Sequence, residues 1–333
     1  MELLILNQAQ VQELLPVGEC MDVMAAVLKS LAEAKVGMPL RSVMWLPDKR
    51  GAIGMMPSYA LDLNIMGLKI ISVFPGNHGT DYDSHQGAVM LFETGHGRPL
   101  ALVDASAITA IRTPAVSALA TRLLARKDAG DLAILGSGIQ ARGHLEAMLQ
   151  VRPIRRVRVW SLPLDQARQF AAASSKRLGI QVEAMNTSHD AVNGADIICT
   201  VTAAPEPVLF GKSILDGAHI NAIGACVPTT RELDTAAVVK SRLYVDRRES
   251  TMNESGDFLI PKKEGTITDS HILGEIGEIL TGKVSGRQSE KEVTLFKSLG
   301  LAVEDLAAAH YVYQKALAKK IGTMVELGGK RIE

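Results

Sequence analysis

The spacing of hydrophobic positions in the first third of the chain predicts two helices followed by a sheet. A short strand is expected over residues 3–6, and helical spacing follows from Asn7 and again over 21–34. Residues 40–110 carry short apolar runs separated by Gly, Pro, Asn and Asp, which is typical of strands joined by turns. We expect these strands to form an antiparallel sheet. They cover residues 42–46, 52–56, 67–74, 87–93 and 100–104.

The spacing changes after an alanine-rich helix predicted over residues 108–124. From Asp131 onwards, apolar strands alternate with helical segments, and this alternation predicts a parallel sheet covered by helices. A polar, glycine-rich stretch then precedes residues 294–318, which we expect to form one helix. The expected strands are 132–135, 157–160, a weak one near Val182, 197–201, 219–223 and 243–245, with helices over 140–150, 164–178 and 235–240.

The segment Asp131 to Ala141, DLAILGSGIQA, has the G-x-G-x-x-A form of the dinucleotide-binding fingerprint. Gly136 permits a tight turn, and Gly138 lets a pyrophosphate approach the first amides of the following helix. Two glycines after an apolar run also occur in ordinary strand–helix turns. Here, however, they follow the first strand of a repeated series, at the sheet edge where ligands bind. We therefore predict a Rossmann-type doubly wound parallel sheet.

The residue after the second strand of this sheet bears on the choice of dinucleotide. In NAD-binding folds an acid there holds the ribose 2′-hydroxyl, whereas here VRVW is followed by Ser161. A hydroxyl is compatible with a 2′-phosphate, which a carboxylate would repel. Arg142 could add positive charge or could be an ordinary surface arginine. We therefore expect NADP(H) to be preferred, with NAD(H) possible, and we include Ser161 and Thr202 among the cofactor-binding residues.

Three cations lie in or beside the apolar runs of the first half. Lys69 lies within GLKIISVF, where a buried ammonium requires an anionic partner, while Arg41 precedes a strand and Arg112 lies in the long helix. Each could be a solvated side chain lying along apolar surface. Together they could hold a small carboxylate, which arginine binds through two parallel hydrogen bonds.

Two further residues are candidates for chemistry. His85, in DSHQGAV, could donate a proton or contact a substrate, although a single histidine at a strand start is more often structural. Cys226 follows the strand 219–223 at the ligand edge of the sheet, where it could also simply pack. No His–Asp pair lies near Cys226 in the sequence, so a nucleophilic role has little support.

Composition excludes several classes of protein. A chain of 333 residues with 47% hydrophobic residues suits two globular domains, and 36 basic against 36 acidic residues without a basic block exclude a nucleic-acid partner. Three scattered cysteines indicate neither a disulfide framework nor a metal site, so a reducing, cytoplasmic location is expected. No apolar run reaches membrane-spanning length, and MELLILNQ lacks the features of a targeting signal.

The order of motifs over nearly the whole chain resembles the ornithine cyclodeaminase and mu-crystallin family, including its ketimine reductase and alanine dehydrogenase branches. So many ordered matches make the resemblance far more specific than the glycines alone. The matching segments are MMPSYA (55–60), LKIISVFP (68–75), SHQGAVMLFE (84–93), ITAIRTPAVSALAT (108–121), ILGSGIQA (134–141), GAHINAIGA (217–225), RELD (231–234), ESGD (254–257) and TLFKSLGLAVEDLAAA (294–309).

The resemblance implies a role for each part of the chain. Residues 1–115 with 306–333 would form a smaller α+β domain for substrate binding and dimerisation, and residues 116–305 the NAD(P)-binding Rossmann domain of a homodimer. The substrate carboxylate would be held by Arg41, Lys69 and Arg112, and the pyrophosphate by Gly136, Gly138, Ile139 and Gln140.

Two departures from the cyclodeaminase pattern bear on the reaction. Family cyclodeaminases carry a glutamate at the position of Gly54 and a catalytic aspartate at that of Cys226. A thiol, with a reference pKa of about 8.5, is mostly protonated at neutral pH and cannot replace an ionised carboxylate. The expected activity is therefore NAD(P)H-dependent reduction of cyclic ketimine carboxylates, with Lys69, His85 and Cys226 as catalytic candidates. Ornithine cyclodeaminase, alanine-type dehydrogenase and non-catalytic NADP(H) binding remain alternatives.

Overall fold

The computed structural model describes residues 2–77 and 80–329. Residues 330–333, which belong to the predicted first domain, lie outside this range, as do residues 1, 78 and 79. The strands are β1 (Glu2–Leu6), β2 (Val36–Gly37), β3 (Ser42–Trp45), β4 (Ala52–Ala60), β5 (Ile65–Val73), β6 (His85–Glu93), β7 (Pro99–Asp104), β8 (Asp131–Leu135), β9 (Arg156–Trp160), β10 (Val182–Ala184), β11 (Ile197–Thr200), β12 (His219–Ala222), β13 (Arg242–Val245), β14 (Ile272–Glu275), β15 (Thr294–Lys297) and β16 (Thr323–Glu326). The α-helices are α1 (Gln8–Leu14), α2 (Val17–Ala32), α3 (Ala105–Leu124), α4 (Ile139–Val151), α5 (Leu164–Leu178), α6 (Ser188–Val192), α7 (Thr235–Lys240), α8 (Arg248–Glu254), α9 (Gly256–Lys263), α10 (Ile276–Leu280) and α11 (Ala302–Lys319).

The chain divides into two compact units. The first comprises Met1–Thr113 and Leu301–Glu333, and the second comprises Pro114–Gly300, so the long helix α3 passes from one to the other. That the first unit binds substrate and forms a dimer, and that the second binds the cofactor, stays a prediction.

The first unit is built on one mixed sheet with the strand order β16-β1-β7-β6-β5-β4-β2, to which β3 adds by pairing with β4. The strands β4 to β7 pair antiparallel, as the sequence predicts, whereas β1 joins β7 in parallel. Helix α11 packs on β4, β5 and β6 and also contacts α2. On β5 the helix-facing Lys69 is 3% exposed and its neighbour Ile70 is 40% exposed, because successive strand residues point to opposite faces.

The second unit is a parallel sheet with the order β10-β9-β8-β11-β12-β15-β13-β14. All of its strand pairs run in the same direction, and the fingerprint strand β8 lies between β9 and β11, where the order reverses. The predicted fold class, a Rossmann-type doubly wound sheet with a smaller α+β domain, is confirmed.

One predicted helix is partly wrong. Residues 294–297 form β15, a fully buried strand between β12 and β13, and the helix begins only at Ala302. A strand buried on both faces is a continuous apolar run without alternation, so its periodicity does not distinguish it from a buried helix. Gly300, with φ of +74°, lies in the turn between the end of this strand at Lys297 and the start of the helix. The sequence also predicts no element for the strand β14 and the helices α8 to α10, which lie between β13 and β15.

Candidate active site

The buried side of the first unit's sheet carries two cations that the sequence singles out. Lys69 lies on β5, and its ammonium donates to Asp305 Oδ1 at 3.0 Å and to Thr109 Oγ1 at 2.7 Å. Arg112 lies on α3, where Nε donates to the same Asp305 oxygen at 3.0 Å and Nη1 donates to Glu304 Oε2 at 3.1 Å. The anionic partner that a buried Lys69 requires is therefore Asp305.

Lys69, Arg112, Glu304 and Asp305 together form what we call the charge cluster. All four side chains are at most 5% exposed. Sequence reasoning missed both acids, although two adjacent acids inside the apolar run LGLAVEDLAAA indicate charge on a buried helix face. Arg41 lies half-buried just before β3.

Burial lowers the pKa of Lys69 to about 8, with the nearby positive charges of Arg112 and Arg41 acting in the same direction and Asp305 opposing them. Lys69 therefore changes protonation state much closer to neutral pH than an exposed lysine does. Arg41 is close enough to influence this titration, so the three predicted carboxylate-binding cations belong to one electrostatic environment.

His85 is placed differently from these cations. It begins β6, is exposed, and its Nδ1 lies 3.0 Å from Ser84 Oγ. Its backbone N–H donates to Asp83 Oδ1 at 3.1 Å. The structure thus puts His85 at an exposed strand end rather than within the buried charge cluster, and a catalytic role for it stays a prediction.

In the second unit the two fingerprint glycines have different structural surroundings. Gly136 has φ of +122°, and a Cβ there would lie 2.6 Å from the Val201 carbonyl oxygen, so the turn itself requires glycine. Gly138 is the N-cap of α4 with φ of −82°, and a Cβ there would meet nothing within 4 Å. The protein itself does not require glycine at position 138, and the space in front of the helix is open.

The helix α4 that follows is suited to binding a phosphate. Gly138 provides no side-chain cap, and the helix dipole favours negative charge at the start of α4. Ile139 is 57% exposed at this helix start, and Gln140 follows it in the first turn. These are the residues expected to hold the pyrophosphate.

Ser161 lies directly after β9, where the sequence predicts the adenosine ribose. Its side chain is 5% exposed, and its hydroxyl oxygen is buried without a hydrogen-bond partner among residues 2–77 and 80–329. A buried hydroxyl without a partner is costly, so a hydrogen bond from a bound ligand would satisfy it.

Thr202, after β11, is held by a buried carboxylate that the sequence did not reveal. Glu232 Oε1 accepts from the Thr202 amide at 2.6 Å and from its hydroxyl at 2.8 Å. Glu232 Oε2 accepts from the Gly224 amide at 2.6 Å and from the Thr200 hydroxyl at 2.8 Å. Glu232 therefore joins the ends of β11 and β12, and the RELD segment contributes a structural carboxylate.

Burial raises the pKa of Glu232, while Lys297 and the hydrogen bonds from Thr202 lower it. The geometry favours the ionised form, because each carboxylate oxygen receives a backbone N–H, which can only donate. Lys297 supplies positive charge nearby and pairs with Asp257 Oδ2 at 2.9 Å.

Cys226 lies beyond β12, half-buried, and its thiol donates to the Ile223 carbonyl oxygen at 3.2 Å. Cys226 thus places a thiol, and not a carboxylate, at the position where the family's cyclodeaminases carry aspartate. Gly54, the other position of difference, faces the helix side of β4, and a Cβ there would make only ordinary contacts with Ile71, the nearest at 3.5 Å. Steric crowding therefore does not explain the missing glutamate.

Two further properties hold for the described part of the chain. Its His, Cys, Asp and Glu side chains form no group of three that could hold a metal ion. None of the helices in the described ranges combines the length and apolar character needed to cross a membrane.

Comparison with known proteins identifies relatives over nearly the whole length. The mouse (Mus musculus) ketimine reductase mu-crystallin is 41% identical over 278 residues, which cover 84% of this chain and 85% of that protein. The structure of Thermococcus litoralis Delta(1)-pyrroline-2-carboxylate reductase in complex with NADH and L-proline has a TM-score of 0.94 and 39% identity, with 96% of this chain and 99% of that chain covered.

A third relative is an archaeal alanine dehydrogenase dimer with bound NAD, with a TM-score of 0.92 and 31% identity over 98% of this chain and 100% of that chain. The model of the ornithine cyclodeaminase/mu-crystallin family matches residues 1–320. The resemblance predicted from the motifs is confirmed: the chain belongs to the ornithine cyclodeaminase/mu-crystallin family.

Proposed function

We propose that the protein reduces cyclic ketimine carboxylates, such as Δ1-pyrroline-2-carboxylate and Δ1-piperideine-2-carboxylate, to proline and pipecolate with NAD(P)H. The observation that carries this proposal is that a cysteine, whose thiol donates to the Ile223 carbonyl oxygen, stands at position 226, where a cyclodeaminase requires a carboxylate. The missing glutamate at Gly54 agrees with it. The names of the mouse and Thermococcus relatives describe the same kind of reduction.

Arg41, Lys69 and Arg112 hold the substrate carboxylate in this proposal. When bound, the reduced nicotinamide supplies the hydride that the imine carbon accepts. The C=N π electrons move to the nitrogen, which enters protonated and leaves as a secondary amine. The imine can take its proton from solvent or from a weak acid such as His85 or Lys69, so this reduction does not require an aspartate at position 226.

The proposal includes a preference for NADP(H), with NAD(H) as a usable alternative. Ser161 supports it, because its hydroxyl can accompany either a 2′-hydroxyl or a 2′-phosphate and introduces no negative charge. The structure of the Thermococcus relative, which is 39% identical to this chain, contains NADH. Gly136, Gly138, Ile139, Gln140 and Thr202 complete the proposed cofactor site.

The proposal also includes a homodimer. The outer face of the first unit's sheet exposes large apolar side chains, and one relative is an archaeal alanine dehydrogenase dimer. On this outer face Met44 is 64% exposed, Tyr59 44%, Met66 39% and Ile70 40%. Burying such a face in a second copy removes apolar surface from water. The expected cytoplasmic location stays a prediction.

One parallel assay tests the activity. Oxidation of NADPH and of NADH is followed with each of the two ketimines, with pyruvate plus ammonia, and with no carbonyl substrate, while ammonia release is measured from ornithine. We expect oxidation with the ketimines and a higher kcat/KM with NADPH. Turnover of pyruvate plus ammonia alone identifies a dehydrogenase, ammonia from ornithine identifies a cyclodeaminase, and no reaction at all leaves a nucleotide-binding protein.

A further inference from the structure

The charge cluster contains two acids that a carboxylate-binding site would not be expected to include. Glu304 and Asp305 are fully buried in the first turn of α11, beside the two cations proposed to attract a negatively charged substrate. In their ionised forms the four side chains sum to zero charge. Lys69 and Arg112 therefore cannot bind a carboxylate through excess positive charge of their own, and the direction of their N–H groups must contribute.

Asp305 determines that direction through a single oxygen. Its Oδ1 accepts from Lys69 Nζ and from Arg112 Nε, each at 3.0 Å, so one atom fixes both cations. Thr109 Oγ1 donates to the Ala105 carbonyl at 2.7 Å and accepts from Lys69 at 2.7 Å. Two of the three ammonium protons are thus assigned, and tetrahedral geometry fixes where the third points.

We propose that Asp305 is a positioning residue that anchors Lys69 and Arg112 at one carboxylate oxygen, so that the remaining ammonium donor of Lys69 is aimed at the substrate carboxylate. This inference rests on the proposed reductase function. Asp305 acts through the two cations and does not itself contact the substrate.

The charges around Lys69 show why an acid is needed there. Arg112 from α3 and Arg41 from the segment before β3 both favour loss of its proton, as does burial, and Asp305 from α11 opposes all three. The ammonium of Lys69 is required in this site because only the charged form attracts a carboxylate. Without Asp305, Lys69 would be left beside two guanidinium groups. Glu304 accepts its hydrogen bond from Arg112 and not from Lys69, so it would not replace the lost acceptor.

The remaining titratable group near the cluster does not alter this balance. Cys20 from α2 faces Arg112, Glu304 and Asp305, and burial raises the pKa of its thiol, so Cys20 stays neutral. The carboxyl group of Asp305 itself stays ionised, because Arg112 and Lys69 hold its pKa below the usual value.

The test compares Asp305→Asn with Glu304→Gln, which removes a neighbouring charge that bonds Arg112 but not Lys69. The dependence of kcat/KM on pH is measured with Δ1-piperideine-2-carboxylate. In the wild type, kcat/KM should decrease on the alkaline side with an apparent pKa near that of Lys69, about 8. In Asp305→Asn the apparent pKa of this decrease should be lower by about one to three pH units, because loss of an adjacent opposite charge shifts a pKa by this amount. In Glu304→Gln it should stay in place while KM rises.

A second readout separates this inference from the proposed function. The pKa of Lys69 is followed directly by NMR of ¹³Cε-labelled lysine, with the signal assigned in Lys69→Arg. If the wild type does not reduce ketimines, the proposed function fails. A lower Lys69 pKa in Asp305→Asn would still support the role of Asp305 as the positioning residue for Lys69. An unchanged Lys69 pKa in that variant overturns this role.

Asp305→Glu decides the matter if Asp305→Asn does not fold. It keeps the charge but moves the oxygens by one methylene, so we expect KM for the ketimine to rise about tenfold or more, which is about 1.4 kcal/mol, with the apparent pKa of the alkaline decrease unchanged. An unchanged KM would show that the position of the Asp305 oxygen is unimportant to substrate binding.

Discussion

At the scale of single residues, the side chain at position 161 is expected to determine the choice between NADPH and NADH. Ser161→Asp should lower kcat/KM with NADPH relative to NADH by about 10- to 100-fold, because the new carboxylate repels a 2′-phosphate and can accept from a 2′-hydroxyl. The measurement is the ratio of kcat/KM for the two cofactors. Ser289→Asp adds the same charge at an exposed position of the same unit and should leave the ratio unchanged. A ratio unaltered in Ser161→Asp would place the ribose elsewhere.

Two buried histidines of the second unit should make its stability depend on pH. His144 lies between the Gln140 carbonyl and the Ser117 hydroxyl, at 2.8 Å and 2.9 Å, and burial lowers its pKa from 6.5 to about 4. For His219, on β12, burial lowers the pKa to about 3. Both rings are therefore neutral in the folded protein at moderately acidic pH, where the unfolded chain binds protons.

Because the unfolded state binds more protons below pH 6.5, the free energy of unfolding should fall as pH decreases through this value. Each histidine should contribute a slope approaching about 1.4 kcal/mol per pH unit. Urea unfolding over the range from about pH 7.5 to 5.0 measures it. His144→Gln removes one titrating group, so its slope should be shallower than that of the wild type. Equal slopes would contradict a neutral buried His144.

At the scale of secondary-structure elements, the two fingerprint glycines should respond differently to one methyl group. Gly136→Ala should lower the free energy of unfolding, because the new Cβ would lie 2.6 Å from the Val201 carbonyl and the backbone has a positive φ. Gly138→Ala should fold with nearly wild-type stability, since its Cβ meets nothing within 4 Å, yet it should bind NADPH at least about tenfold more weakly. Thermal unfolding and fluorescence titration with NADPH measure the two effects. Normal cofactor binding by Gly138→Ala would argue against a pyrophosphate at this helix.

The Glu232 carboxylate links the ends of β11 and β12, and an amide at this position cannot make the same hydrogen bonds. Glu232→Gln places an amide donor against a backbone N–H of Thr202 or Gly224, so it should cost about 1–3 kcal/mol of unfolding free energy. Glu206→Gln, at an exposed glutamate in the loop after β11, should change stability by less than about 0.5 kcal/mol. Equal effects of the two substitutions in urea unfolding would show that the link is not maintained.

Elements whose burial alternates or repeats were predictable from the sequence, and the exceptions have physical reasons. The strands β4 to β7 alternate between a helix-facing and an outer side, and the fingerprint gives the start of the Rossmann sheet. The sequence predicts helix where β15 lies, because a strand buried on both faces loses its alternation.

The cations of the candidate site were predictable, and their partners were not. Lys69 stands out because a charge interrupts an apolar strand. Asp305 lies 236 positions later, and nothing in local spacing pairs two residues that meet only in the folded unit. The same applies to Glu232, whose four donors come from residues in the ends of two different strands.

At the scale of the whole molecule, the outer face of the first sheet should determine the oligomeric state. Ile70→Lys places a charge on this face and should convert the proposed dimer to a monomer, because a buried unpaired charge is strongly unfavourable. Leu215→Lys changes an apolar residue that is 52% exposed in the second unit and should remain dimeric. Light scattering after gel filtration gives the mass of each. A dimeric Ile70→Lys would move the interface to another surface.

The dependence of the charge cluster on α11 has a consequence for protein synthesis. Lys69 and Arg112 leave the ribosome long before Glu304 and Asp305, and burying the two cations without these acids would be strongly unfavourable. The second unit, Pro114–Gly300, is continuous in the chain and can fold as soon as it emerges. The N-terminal unit must therefore wait for the C-terminal helix, so this protein should complete its folding in the reverse of the order in which its two halves are translated.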